Sequence, residues 1–228
     1  MDEKAVLPSN FSVLKAHRTQ ALLSKKVIEE DRLPDRIESI AGVDVAYTGK
    51  IAIGAVSVLD YNPLGTIESQ IAVCEVKMPY VPTLLAFREV PAATACIRRL
   101  TKKPDVFLVD GHGIAHPQNF GLASHLGLIV GRPTIGVAKT KLVGETIQNG
   151  EEAFLDYRGR TVGAAIRTVE GGKPIYVSVG NLVSLKTAIE IVKKCIRSGG
   201  YPEPLRQAHV TASELKRQLE RTSDLQKT

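Results

Sequence analysis

The sequence contains no apolar run approaching the ~20 residues needed to cross a bilayer. Its start, Met1-Asp2-Glu3-Lys4, lacks the basic-then-apolar order of a secretory leader. Both absences predict a cytoplasmic protein with no membrane partner. Cysteine is scarce: Cys74, Cys96 and Cys195 are odd in number, widely spaced and without a Cys-x-x-Cys pair. That argues against a disulfide framework and a zinc ribbon and predicts buried, reduced thiols. Internal repeats, linkers and low-complexity tracts are missing too. The 228 residues, 43% of them hydrophobic, therefore read as one domain around one sizeable core, with residues from about 210 to 228 as a flexible tail. Acidic residues are in deficit, 24 against 30 lysines and arginines, for a net charge of +6 and a pI near 9.2. Such a balance favours a polyanionic partner without establishing one.

What is present falls into an order. Residues 10 to 32 carry Phe11, Leu14, Ala21, Leu22, Leu23 and Val27 among many charges, with Ser9 or Asn10 as a cap and Pro34 as a stop, predicting a basic amphipathic helix. From Ile40 the period changes to two. Residues 40–47, 51–61 and 65–78 read as three strands joined by short turns and hence antiparallel. A helix over about 83–100 follows, with Pro91 expected to kink it or restart it just after Glu89. Next come a strand ending on Asp110, a helix over about 120–131 and a strand over 134–138. Residues 161–169 and 174–179 read as a hairpin, 184–197 as a helix and 205–219 as a charged terminal helix. The predicted class is α/β: a mixed sheet of three antiparallel strands followed by parallel strands, flanked by helices. Right-handed crossovers allow the fourth strand to lie parallel to and beside the first.

That neighbourhood matters because Asp44 sits inside the first strand, in Ala41-Gly42-Val43-Asp44-Val45-Ala46, where an unpaired charge is costly. If the two strands are neighbours, Asp44 and Asp110 share one site. With Glu89 on a helix above them they form a set of hard oxygen ligands suited to Mg²⁺, or Mn²⁺ in its place. The chemistry implied is metal-assisted phosphodiester hydrolysis. Taken singly, each acid has a plainer reading: a bulge cap for Asp44, a turn for Asp110, an arginine partner for Glu89.

Around the acids lie further candidates. His112 and His116 are four apart, but Gly111, Gly113 and Pro117 break any helix that would make them a zinc pair, leaving ligand binding or loop fixation. His125 reads as structural and His17 as a surface residue. The stretch from Gly131 to Lys139 lacks the glycine immediately before lysine that a phosphate-wrapping loop requires. Lys139 and Lys141 read equally well as phosphate contacts and as solvated lysines. Pro79-Tyr80-Val81-Pro82 is a stiff loop able to present an aromatic wedge to a base step, or else a turn packing Tyr80 on the core.

Four ordered motifs, Ala-Gly-Val-Asp-Val-Ala-Tyr (41–47), Pro-Tyr-Val-Pro-Thr-Leu-Leu-Ala-Phe-Arg-Glu (79–89), Val-Asp-Gly-His-Gly-Ile-Ala-His-Pro (109–117) and Pro-Glu-Pro-Leu-Arg-Gln-Ala-His (202–209), together resemble the endonuclease V family over nearly the whole chain. The resemblance implies a ribonuclease H-like fold, Mg²⁺ dependence and hydrolysis of the second phosphodiester bond 3′ to a deaminated base, chiefly deoxyinosine, with the lesion left on the nicked strand. It implies that Asp44, Asp110 and Glu89 bind metal, that His209 positions or activates water, and that Lys139 lies near the scissile phosphate. Tyr80, carried by Pro79, Val81 and Pro82, matches the strand-separating wedge. Leu85, Gly111, Gly113, His116, Gly121 and Leu122 match the lesion pocket. The family pattern has glycine where Thr83 stands and arginine where Gln118 stands. The implied partner is DNA containing deaminated bases, acted on by a monomer. Inosine-containing RNA is an alternative substrate, and a non-catalytic binder of damaged or structured nucleic acid is the alternative of another class.

Overall fold

The computed structural model describes residues 11–149, 152–197 and 199–225. Nine strands form one sheet in the order β3-β2-β1-β4-β5-β9-β8-β7-β6. The first three, β1 (Ser39–Thr48), β2 (Ile51–Asp60) and β3 (Thr66–Glu75), make the expected antiparallel meander. Strand β4 (Val106–Asp110) then lies parallel to β1, with Val43 opposite Val109, and β5 (Thr134–Ala138) lies parallel to β4. Past β5 the sheet turns antiparallel. Strand β9 (Ile175–Asn181) pairs with β5 and β8 (Thr161–Ile166) pairs with β9.

Two strands escape the sequence pattern: β6 (Glu145–Asn149) and β7 (Glu152–Asp156). Every residue of β6 is exposed, so it has no buried face to impose an alternation. It is held by its pairing with β7.

The helices cover both faces. On one, α2 (Leu85–Ile97) and α3 (Leu122–Val130) bury Ala86, Ala93 and Leu126 against Ala41, Val43, Phe107 and Val109. On the other, α4 (Leu185–Lys194) and α5 (Glu203–Leu225) bury Val192 and Leu205 against Ile40, Leu108, Ile135 and Val177. Alternation along β1 and β4 thus sends odd residues to α2 and α3 and even ones to α5. Two glycines let the layers close: a Cβ on Gly42 would lie 2.0 Å from the Pro204 carbonyl oxygen of α5, and one on Gly54 would lie 2.3 Å from that of Ala92 in α2.

Some element ends differ from expectation. Helix α1 spans only Val13–Ser24, capped by Ser12, whose hydroxyl accepts from the Lys15 amide. Ser9 and Asn10 lie outside the described residues. Helix α1 stops well before Pro34 because Val27 and its neighbours leave it to join the main core. Helix α2 runs through Pro91 without a break, since Pro91 is exposed and water can satisfy the carbonyl left without a donor. The terminal helix expected over 205–219 lies within α5, which runs on to Leu225 through residues also read as a tail, and Ala212 is buried with Ile53 and Ala55 of β2.

Candidate active site

Asp44 and Asp110 each follow directly on the paired Val43 and Val109. Adjacent parallel strands therefore carry the two carboxylates side by side, both even-numbered and both on the α5 face. Asp44 accepts from the Val45 amide at 2.8 Å and, through Oδ2, from His209 Nδ1 at 2.8 Å. Gly42 makes this second bond possible: with no side chain two residues before Asp44, α5 crosses β1 at backbone contact and delivers His209. With Nδ1 turned to the carboxylate, Nε2 is left 3.5 Å from the Ser213 hydroxyl.

Lys139, the first residue past β5, places Nζ 3.3 Å from Asp110 Oδ2 and 4.7 Å from the centre of the Tyr201 ring. The Tyr201 hydroxyl is buried without a hydrogen bond of normal geometry, yet close enough to Asp110 that the two interact. Lys141 is solvated.

Glu89 arrives from the opposite layer. It lies on α2, is 7% exposed, and accepts from the Tyr47 hydroxyl at 3.2 Å rather than from a neighbouring arginine. Arg88 instead stacks on the Tyr47 ring at 4.3 Å. Burial, reinforced by the charges of Asp44 and Asp110 and opposed by the Tyr47 bond, pushes Glu89 up to about 8. Burial and then Asp44 also hold Asp110 above the usual carboxylate range, against the pull of Lys139. Among the described residues no three His, Cys, Asp or Glu side chains converge as a ready-made ion site. Each acid keeps a separate partner: Asp44 is turned to His209, Asp110 to Lys139 and Glu89 to Tyr47.

The donor set nonetheless fits a hard divalent cation. Asp44 and Asp110 stand at the ends of two strands with one lysine against them, and burial, with their charges added, favours a proton on Glu89. A cation among them would remove that repulsion, and all three offer oxygen.

Beside the acids is a cavity of about 170 Å³ lined by Tyr80, Thr83, Leu85, Ala86, His112, His116, Leu122, Thr140 and Leu142. Leu85, His116 and Leu122 are the pocket residues expected there. Gly111, Gly113 and Gly121 do not line it, because their glycine serves backbone packing. A Cβ on Gly113 would lie 1.9 Å from the Val179 oxygen, and one on Gly121 would lie 2.3 Å from the His112 oxygen. Gly111, at φ +153°, packs on Leu122. These contacts seat the loop between β4 and α3 on β5 and β9, so one loop links the acids to the cavity.

His116 is fully committed within that loop: Nε2 donates to the Thr83 carbonyl at 2.8 Å and Nδ1 accepts from the Gln118 amide at 3.1 Å. Burial pushes its pKa down to about 4, and that of His112 likewise. Both are thereby held neutral in the cavity wall, and His116 has no ring nitrogen left over. His125 packs edge-on against Phe87 at 5.7 Å, a structural role. His17 is not a free surface residue, since Nε2 lies 3.0 Å from the Thr83 hydroxyl. Tyr80, 61% exposed, stands at the mouth of the cavity rather than against the core. Thr140 and Leu142 gave no sequence signal, because only folding brings their segment to the same wall as His112, marked in the sequence as a ligand or loop residue, and Thr83, marked by its departure from glycine.

The endonuclease V family model matches residues 21–210. The endonuclease V of Thermofilum pendens is 47% identical over 210 residues, covering 91% of this chain and 90% of its own. The crystal structure of endonuclease V from Streptomyces avermitilis superposes with a TM-score of 0.85 at 36% identity, covering 94% of this chain and 98% of that one. Endonuclease V of Ciona intestinalis, solved with a 24mer DNA containing an inosine followed by a ribo-adenosine, superposes at 0.83 with 27% identity, covering 91% and 98%. The four motifs, the ribonuclease H-like sheet and the paired aspartates thus have one explanation: the chain belongs to the endonuclease V family of nucleases.

Proposed function

We propose that this nuclease uses Mg²⁺, with Mn²⁺ as a substitute, to cut DNA at the second phosphodiester bond 3′ to a deaminated base, chiefly deoxyinosine. The observation that carries the reading is the sharing of one loop, residues 110–122, between a carboxylate pair and a cavity with an exposed tyrosine at its mouth. Binding a base in the cavity would hold the backbone downstream of it at a set distance from the acids. Cutting beyond the lesion, not at it, follows from such an arrangement.

Asp44 and Asp110, with Glu89, would hold the cation. When bound, it supplies charge to a phosphate oxygen and lowers the pKa of water. The protein's own groups do the rest. Asp44 fixes the His209 ring so that Nε2 can take a proton from water, the orienting role a carboxylate plays toward imidazole in hydrolases generally. Lys139, whose side chain is 57% exposed, is free to meet a phosphate. Tyr80, stiffened by Pro79 and Pro82 and seated beside Val81, fills the gap left by an extruded base. The enzyme acts as a single-domain monomer in the cytoplasm.

The test is nicking of an inosine-containing duplex and a matched unmodified duplex with Mg²⁺, with product length marking the bond cut. Equal cutting of both, or none, sinks the reading. A second substrate is favoured by one observation: the Ciona relative is bound to DNA with a ribonucleotide directly after the inosine. A site that accepts one 2′-hydroxyl there extends to inosine in RNA, and competition between matched deoxyribose and ribose strands measures it.

A further inference from the structure

Helix α1 carries none of the acids and lines none of the cavity, yet it is fastened to the loop that bears Tyr80. Ala16 is buried with Met78 and Leu84, and Phe11, Val13, Val81 and Phe87 pack around them. Gln20 Nε2 donates to the Thr83 carbonyl at 3.0 Å, and His17 Nε2 lies 3.0 Å from the Thr83 hydroxyl. Those contacts use one side of the helix. At ~100° per residue the other side gathers Leu14, Lys15, Arg18 and Leu22, with Lys25 and Lys26 continuing it past Ser24, and all are exposed. No acid occurs between Phe11 and Ile28. Those that follow are engaged elsewhere: Glu29 pairs with Arg160, Glu30 with Arg32, and Asp31 accepts from Ser184 and Thr187. Among the described residues, Lys15, Arg18, Lys25 and Lys26 form no ion pair. Nor do they all serve the helix itself. Lys25 and Lys26 suit the negative end of its dipole, but Lys15 stands in the first turn, where a cation is unfavourable and no acid offsets it. A basic face that its own fold neither neutralises nor uses is available to an external anion.

We propose that this face of α1 holds the phosphate backbone of the duplex arm 5′ to the lesion, steadying it while Tyr80 enters the stack. The inference rests on the reading above, that the enzyme cuts 3′ to a base held in the cavity. On that reading the backbone 3′ to the base belongs to the acids and Lys139. Helix α1 touches neither, and its contacts run to the tyrosine loop, so the phosphates within its reach are those before the lesion. Its 12 residues give a length of ~18 Å, the span of about five phosphates of one strand at ~3.4 Å each. The match to the family begins at residue 21, so Lys15 and Arg18 add contacts outside the shared pattern. Exposed Leu14 and Leu22 would also suit a lipid surface. A helix lying in a membrane needs its apolar face free, however, and that of α1 is spent on the tyrosine loop.

The experiment compares the parent with Lys15→Ala/Arg18→Ala, with the charge-keeping Lys15→Arg/Arg18→Lys, and with Lys102→Ala/Lys103→Ala. The last removes equal charge from exposed positions just before β4, at the end remote from Asp110. Binding of the full chain to a labelled inosine duplex is measured between 50 and 200 mM salt without Mg²⁺, and single-turnover nicking with it. In Lys15→Ala/Arg18→Ala the log–log slope becomes shallower by about 1–2, and affinity at 100 mM salt falls about tenfold or more. The loss lies in half-saturation of nicking, not in the maximal rate. The charge-keeping variant and the remote one keep the parent slope. Deleting the duplex arm 5′ to the inosine erases the difference between parent and variant, while shortening the 3′ arm preserves it. A slope unchanged within about 0.3, an equal shift in the remote variant, or a loss that persists without the 5′ arm overturns the proposal. So does binding to vesicles of phosphatidylserine in phosphatidylcholine that Lys15→Ala/Arg18→Ala abolishes with no change on DNA; the face then belongs to a membrane. Should that variant fail to fold, Lys25→Ala/Lys26→Ala, beyond the helix on the same face, takes its place in every arm. If the parent neither prefers nor nicks the inosine duplex, the proposed function falls by itself. The slope on an unmodified duplex then decides the basic face alone: a difference between parent and variant supports phosphate contact, and none overturns it.

Discussion

At the scale of single residues, the site is a contest between burial and charge. Glu89 is pushed up to about 8 in the folded chain against an ordinary 4.5, so folding favours its protonated form. Without a cation, that contribution to stability is whole below about pH 4.5 and is lost as pH rises through about 8. Glu89→Gln should remove most of this loss; melting of the metal-free protein at pH 6 and pH 9 checks it, at ~2–4 °C for each kcal/mol in a chain of this size. Cation binding should release a proton from the same group, so apparent Mg²⁺ affinity should rise with pH until Glu89 is ionised. Asp110→Ala should reduce single-turnover cleavage by ~10³-fold or more while inosine-duplex affinity changes only a few-fold, since a metal ligand acts on the transition state. His209→Ala should cost about 10²–10⁴-fold in rate, as loss of a positioned proton acceptor does. Tyr80→Ala should fail in the other direction, losing lesion affinity before it loses turnover.

At the scale of elements, the catalytic geometry depends on how closely helix and sheet approach. Helix α5 presses on β1 at Gly42, and a methyl group there would lie 2.0 Å from the Pro204 carbonyl oxygen, a backbone atom that cannot turn aside. Gly42→Ala should therefore cost ~1–3 kcal/mol of stability, and its cleavage rate should fall further than the unfolded fraction explains, because a lifted α5 withdraws His209 from Asp44. Gly65→Ala, with nothing within 4 Å of the added atom, is the matched control and should change neither. Melting temperature and single-turnover rate, measured on both variants, decide the matter. The elements that reasoning from sequence found were those whose buried and exposed positions contrast, such as α4, which buries Ala188, Ile189, Ile191 and Val192 and exposes its lysines. Those it missed or misjudged had no such contrast: β6 is exposed throughout, and α1 leaves its helical path where tertiary contacts claim Val27. Of the two outcomes expected at Pro91, a kink or a restart, the restart does not occur: one helix runs from Leu85 to Ile97 with Pro91 on its exposed side, and exposure is not written in local sequence.

At the scale of the whole molecule, the net charge of +6 must be felt over a bound duplex. Inosine-duplex affinity should fall steeply between 50 and 200 mM salt, with a log–log slope of about −4 or steeper if about five phosphates are neutralised. A slope shallower than about −1, from titrations across that range, would remove the backbone-binding role given to Lys139 and its neighbours. The carboxylate at a strand end, the aromatic between prolines and the strands of the first meander were legible in the chain because each is a local pattern. Endonuclease V membership follows from these same motifs. Folding alone settled which sheet face each group occupies, which partner each acid keeps in the absence of a cation, and which residues wall the cavity. Burial, and with it the raised pKa of Glu89, depends on what the opposite layer brings. The hydrogen bonds around Thr83 join residues 17, 20, 83 and 116, whose separations no local pattern encodes, and a positive φ at one residue is visible only when the chain around it has closed.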